Sequence, residues 1–386
     1  MKLGIFSMPV HPPHRPYADV LDEDLEMVIL ADQLGFEEAW LGEHFTSIWE
    51  NVAAPDLLIA QAISHTKQIK LATGVNCIPN HNPAMLAHRI AQLDHMARGR
   101  FVWGVGVGAV PSDAVLFEVP ADGTHRQVTQ ENIDQILRIW ADEHGDWSYE
   151  NPRFPQFNFN IPPREDWRGL GSHLRPYQKP HPPIAVAGLS KSSSTLRWAG
   201  ERGWIPLSTN LTSEEGLASH WQVYEEGAAA SGISSSRADW RISRDIYVAD
   251  TDERARREAL DGSMARAFRD YFYPLVSSIG GLGVWKIDDA MPDSDITLDY
   301  LIDRFWIVGS PETVARRLAS IFERTGGYGG LLMLAYDWEG NNRRQWQHSM
   351  QLLAHEVMPR LDGLVAPKHV SSKPSPSSPS KARVGM

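Results

Sequence analysis

The fold class this sequence predicts is an eight-stranded (β/α)8 TIM barrel, and three observations carry that expectation. Short apolar segments with strand character alternate with amphipathic helical segments, the order of parallel strands joined by helical crossovers. The alternation returns eight times. The chain's 386 residues exceed the roughly 250 of a typical barrel and leave room for insertions. The competing architecture is an open doubly wound sheet, but open sheets of eight parallel strands are less common.

KLGIFSMP (2–9) reads as the first strand rather than a signal peptide, because one Lys is followed by only a short apolar run. DEDLEMVILADQLG (22–35) reads as a helix with Asp22 as N-cap and Gly35 just past its end. EEAWLGEH (37–44) is the second strand. A helix over 55–66 leads to the third, KLATGVN (70–76). AMLAHRIAQLDHMARG (84–99) is a helix, and FVWGVGVG (101–108) the fourth strand. The rhythm then slackens: 109–124 reads as a long loop, 125–143 as a helix, and 144–182 has no clear period. It resumes with PIAVAG (183–188), a helix over 193–202, WIPLST (204–209), a helix over 213–230 and a seventh strand, WRISRDIYVAD (240–250). A helix over 252–270 and an irregular stretch, 276–304, follow. A helix over 310–327 has Ser310 as N-cap and Glu312 in its first turn. GLLMLAY (330–336) is the eighth strand, and 343–360 the last helix. Insertions therefore fall after strands four and seven. The domain division is 1–365 for the barrel and 366–386 for a Ser/Pro/Lys-rich tail of disordered composition.

The net charge of −11 disfavours a nucleic-acid partner, which would require a basic face. No apolar run reaches the roughly 18 residues that span a bilayer. The single cysteine, Cys77, excludes an intramolecular disulfide and a Cys-based zinc cluster, and fits a cytoplasmic protein. No metal site is expected: His-Glu-x-x-His is absent, and His11, His14 and His81 sit in Pro-rich segments that read as loop or surface.

In such a barrel the chemistry lies at the C-terminal ends of the strands. That rule selects Glu43-His44, Asn76, Gly106 and Gly108, Gly188 with the Ser-rich turn after it, and Ser208-Thr209. His44 is either a satisfied strand-end histidine or a catalytic group. Glu43 points to the other face, so one of the two can enter the mouth while the other braces a loop. GLSKSSST (188–195) leads into a helix N-terminus. It is either an ordinary N-cap or a cradle for a phosphate monoester. VGVGAV (105–110) fails the dinucleotide spacing; its glycines either make room for a flat ligand or pack the strand end. No Gly-x-Ser-x-Gly hydrolase elbow occurs.

Several separated segments, MKLGIF, LGFEEAWLGEHF, LATGVNCIPNHNPAMLAHRIAQLDHMARGRFVWGVGVG and WIVGSPETVARRL with TGGYGGLLMLAYDW, resemble bacterial luciferase-like monooxygenases in order and spacing. The resemblance covers about residues 1–362 and is closest to limonene monooxygenase-like and diketocamphane monooxygenase-like members. It implies a barrel that takes reduced FMN from a separate NAD(P)H:flavin reductase and uses O2 to oxygenate a small, mostly apolar organic substrate. His44 takes the place of the family's active-site histidine and Glu43 that of the acid before it. Gly74-Val75 matches a non-prolyl cis peptide against the flavin ring, and Asn76 follows it. Gly106 stands where luciferases carry a reactive cysteine, which puts light emission in doubt. Ser190, Ser194 and Thr195 fall in the phosphate turn, where Gly188 replaces an acidic residue. Ser208 matches a serine near the flavin, and Arg126 a basic residue on a helix entry. A homo-oligomer, a dimer above all, is expected. The alternatives are a deazaflavin-dependent oxidoreductase and a non-catalytic flavin-binding protein on the same barrel. Aromatic residues of the insertions, Trp147, Phe154, Phe157, Phe159, Trp167, Tyr177 and Trp285, are expected to form an apolar lid or to pack the insertions onto the barrel.

Overall fold

A computed structural model describes residues 1–108, 110–119, 123–141, 163–288 and 290–367. Its strands, in chain order, are β1 (Lys2–Ser7), β2 (Glu38–Leu41), β3 (Lys70–Thr73), β4 (Asn76–Cys77), β5 (Phe101–Gly106), β6 (Ile184–Gly188), β7 (Ile205–Ser208), β8 (Arg241–Arg244), β9 (Ile246–Val248), β10 (Ile307–Gly309) and β11 (Gly330–Leu334). The pairing β3-β2-β1-β11-β8-β7-β6-β5 is parallel throughout, and a β3–β5 pairing closes the ring. These eight strands are the predicted barrel. They are buried almost end to end, as expected when helices cover one face and the lumen lies on the other. Closure needs Gly104: a Cβ there would lie 1.9 Å from the Thr73 carbonyl oxygen of β3.

A charge pair plugs the N-terminal end of the lumen. The Arg241 guanidinium donates to Glu38 at 2.7 and 3.2 Å, and Trp40 donates to the same carboxylate at 3.0 Å. β2 and β8 are separated by two strands in the ring, so this contact crosses the barrel. Both partners are buried, and the guanidinium holds the Glu38 carboxyl below its usual range against the burial that would raise it.

The differences from expectation are local. The first helix runs Tyr17–Gln33 after Pro16, so Asp22 lies inside it and caps nothing, whereas Gly35 does end it at φ +81°. The third strand divides into β3 and β4 around a cis Gly74–Val75 peptide. The apolar run 240–250 is not one strand. β8 stays in the barrel, and β9 leaves it to pair with β10. The break falls at buried Asp245, which accepts from Tyr336 (2.5 Å) and Asn210 (3.2 Å) and whose carboxyl burial pushes up to about 6. Ser310 and Glu312 take their predicted places in the helix Pro311–Thr325. The two longest connections are 107–183, between β5 and β6, and 245–329, between β8 and β11. Trp147, Phe154, Phe157, Phe159 and the tail from 368 lie outside the described residues. Of the other expected lid aromatics, Trp285 is buried against Phe268. Tyr177 packs on His95, beside Gln178, which bonds the Phe101 carbonyl at the start of β5. That is the rim opposite the mouth, so Tyr177 is no lid.

Candidate active site

Beyond the end of β2, the buried Glu43 carboxylate is fully engaged. It accepts from Asn76 Nδ2 (2.7 Å), the Cys77 backbone N–H (2.9 Å) and His81 Nε2 (2.9 Å). Asn76 in turn accepts from Trp103 Nε1 at 3.1 Å. Glu43 and Asn76 therefore brace the β3–β4 junction on which Gly74 and Val75 sit. His81 is buried, against the loop or surface reading, because it completes this network. Burial beside Glu43 also pushes the Cys77 thiol up, so it stays protonated and unreactive.

His44 stands apart. It is mostly covered, its Nδ1 is buried with no hydrogen-bond partner, and its Nε2 lies 3.6 Å from Glu50. Glu50 is buried, which raises its carboxyl. It accepts from the Tyr271 hydroxyl, which lies 3.0 Å from Ser47 Oγ, and the Tyr271 ring stacks on Trp49 at 5.6 Å. This His44–Glu50–Tyr271 chain joins the end of β2 to the insertion after β8. Sequence reading missed Glu50 and Tyr271. Tyr271 carries no motif, and 221 residues separate it from Glu50.

A second cluster lies at the ends of β5 and β6. A cavity of about 260 Å³ is lined by Val105, Gly106, Arg126, Ser194, Thr195 and Trp198, among others. Four of the residues picked from the sequence thus meet in one place. Arg126 is exposed on the first turn of the helix His125–Trp140. Gly106 is required by its neighbour, since a Cβ there would lie 2.5 Å from Val75 Cγ2. Gly188 lets the next helix sit on the strand end: its Cβ would meet Leu196 at 2.6 Å and Ser193 Oγ at 2.9 Å. The N-cap of the helix Ser194–Arg202 is Ser193, which accepts from Leu196 N. Thr195 donates to the Ala187 carbonyl at 2.9 Å.

Two candidates lie elsewhere. Ser208 is buried between Trp240 and His220 and does not line the cavity. Ser190 is exposed and lines a neighbouring cavity of about 430 Å³ with Lys191, Thr212, Ser213 and Gly281.

A third cluster, at the ends of β1 and β11, was also not foreseen. Buried His11 bonds Asp337 at 2.9 Å, with Asp24 at 3.4 Å and Glu23 at 3.6 Å. Arg15 and Arg266 bind the same carboxylates. His11, Glu23 and Asp337 are close enough to share a cation, but the two guanidinium groups already supply the opposing charge. Burial alone would lower the His11 imidazole; Asp24 and Asp337 outweigh it and hold it up at about 9.

Residues 1–329 match the family model described as luciferase-like monooxygenase. The chain belongs to the luciferase-like monooxygenase family. It is 32% identical over 372 residues to 2,5-diketocamphane 1,2-monooxygenase 1 of Pseudomonas putida, covering 94% of this chain and 99% of that one. It is 31% identical over 371 residues to limonene 1,2-monooxygenase of Rhodococcus erythropolis, covering 95% and 88%. Among solved structures, it superposes on the oxygenating constituent of 3,6-diketocamphane monooxygenase from Pseudomonas putida with a TM-score of 0.87. That protein, 30% identical and covering 96% of this chain and 100% of its own, is described as a type II Baeyer–Villiger monooxygenase in complex with FMN. The expected family and fold are therefore those found.

Proposed function

We propose that this chain is the oxygenating component of a two-component system. It takes reduced FMN from a separate NAD(P)H:flavin reductase and, with O2, oxygenates a small, mostly apolar substrate of the terpene or cyclic-ketone class. The observation that carries this reading is the convergence of Arg126, the Ser194–Thr195 helix start and Gly106 on one cavity beside Val75. A helix N-terminus with an arginine suits a phosphate monoester. A glycine under Val75 leaves a flat surface for a planar ring. FMN has both features, and the residues present fit it.

Bound in its reduced form, FMN supplies the oxygen-activating chemistry. Arg126 and the start of the Ser194–Arg202 helix would hold its phosphate, and Gly74, Val75 and Gly106 would border its ring. Glu43, Asn76 and His81 keep that border rigid. His44 holds or passes a proton at the mouth through its unpartnered Nδ1, with Glu50 and Tyr271 behind Nε2. The substrate class rests on the relatives, which act on diketocamphanes and limonene. We further propose that the protein works in the cytoplasm as a homodimer. Exposed Leu57 and Met85, on two helices tied by an Arg89–Asp56 ion pair, support an apolar contact face. No helix among the described residues is long and apolar enough to cross a membrane.

The test is flavin binding by fluorescence quenching, together with turnover. FMN should bind more tightly than riboflavin, Arg126→Ala should weaken FMN alone, and the pure protein should not consume NADH without added reductase. Equal affinity for the two flavins, or exclusive binding of a deazaflavin, would overturn the reading.

A further inference from the structure

We infer that His220 is a positioning residue for phosphate binding: with its proton on Nε2, it sets the backbone of the 188–193 turn so that the turn's N–H groups are left for an anion. This rests on the reading that the turn receives the phosphate of FMN.

His220 lies on the helix Glu214–Ala230, is fully buried, and lines neither cavity described above. Leaving a nitrogen of a buried imidazole unpaired is costly, and in His220 both are paired. Nε2 lies 2.8 Å from the Ser190 carbonyl oxygen and Nδ1 2.9 Å from Ser208 Oγ. A carbonyl can only accept, so Nε2 carries the proton. Ser208 Oγ accepts from Trp240 Nε1 at 3.0 Å, and its own proton is then free to go to Nδ1. The chain Trp240–Ser208–His220–Ser190 uses each donor once. It ties the end of β7 and the residue before β8 to the turn. The imidazole is neutral: burial pushes it down to about 4, with Arg244 adding to the effect and the bond to Ser190 opposing it.

The consequence is directional. A trans peptide points its C=O and its following N–H to opposite sides. His220 draws the Ser190 carbonyl toward the helix, and the next helical residue does the same one position on: Ser219 Oγ donates to the Lys191 carbonyl at 2.6 Å. The N–H groups of Lys191 and Ser192 therefore turn away from that helix. The hydroxyls of Ser193 and Thr195 are already used within the turn. What remains for an anion on this turn is backbone N–H, and the turn runs into Ser194, which lines the first cavity together with Arg126. The residue that orients this backbone makes no contact with the anion itself.

The experiment compares dissociation constants for FMN and riboflavin in the wild type, His220→Leu, His220→Gln and Ser219→Ala. His220→Leu should weaken FMN by about tenfold, the size of one lost hydrogen-bonded contact, and leave riboflavin within about twofold. His220→Gln, which restores a donor toward Ser190, should recover most of the loss. Ser219→Ala, a partly exposed change that spares the core, should show the same FMN-only loss to a smaller degree. It carries the test if His220→Leu does not fold. Unchanged FMN affinity in folded His220→Leu, or in Ser219→Ala should His220→Leu not fold, would overturn the inference. So would parallel losses for both flavins. If the wild type itself does not prefer FMN, the phosphate reading fails instead.

Discussion

Gly106→Ala tests the floor of the proposed flavin site in quantitative terms. The added Cβ would lie 2.5 Å from Val75 Cγ2, while Val75 Cβ and Cγ1 would stand at 3.5 and 3.8 Å. Carbon atoms rest at about 3.5–4.0 Å, so the conflict is about 1 Å and falls on one methyl group. Val75 is β-branched and has few alternative rotamers. Overpacking of this kind costs about 1–3 kcal/mol. Gly106→Ala should therefore melt several degrees below wild type and bind FMN less tightly, because Gly106 lines the cavity. Val75→Ala removes the clashing methyl. The double variant should melt higher than the sum of the two single losses predicts, with a coupling of about 1–2 kcal/mol. Thermal melts and flavin titrations on the four proteins decide it. Gly106→Ala melting like wild type, or strictly additive losses, would refute the packing argument. The same clash predicts that Gly106→Cys restores no luciferase-like thiol without first displacing Val75.

Three further outcomes are expected. His44→Ala should lower product yield far more than melting temperature, since its Nδ1 holds no bond in the fold; full coupled turnover in that variant would remove His44 from the site. His11 is held at about 9 by Asp24 and Asp337, above the value of about 6.5 it takes unfolded. Its contribution is complete below pH 6.5 and is lost as pH rises toward 9. The wild type should lose melting temperature over that window more steeply than His11→Gln, and identical slopes would contradict the assignment. Glu50 is raised by burial, so its ionised form strains the fold at higher pH. Glu50→Gln should raise the melting temperature at pH 8 relative to wild type while lowering yield, and a lower melting temperature there would count against this.

Periodicity made the barrel legible, and its limits explain what escaped. Eight apolar runs and their helices were readable because both strand faces are buried and each helix has one apolar stripe. The seventh run misled, because Asp245 sits in an otherwise continuous strand pattern and only its buried partners Tyr336 and Asn210 reveal the break. β10 has three residues, too few to show a period. At the strand ends, the rule for barrels picks out His44, Gly106 and the Ser-rich turn that holds Ser194 and Thr195, and resemblance adds Arg126; the structure brings the last four to one cavity. The cis Gly74–Val75 peptide was likewise implied by resemblance alone. Ser208 shows the opposite case. A strand-end serine can face the lumen or the helices, and only Trp240 and His220 fix its direction. His11 looked like a loop histidine because its carboxylate partners Asp24 and Asp337 come from other parts of the chain.

The central claim is oxygen transfer from O2 to an apolar substrate, and one measurement reaches it directly. The purified chain is supplied with FMN, NADH, a flavin reductase and isotopically heavy dioxygen, and offered camphor-derived ketones, limonene, alkanesulfonates and amino acids. Mass spectrometry should find a terpenoid product carrying a single heavy oxygen atom, formed only when the reductase is present. Heavy oxygen appearing only in sulfonate or amino-acid products, or in no product at all, would contradict the account.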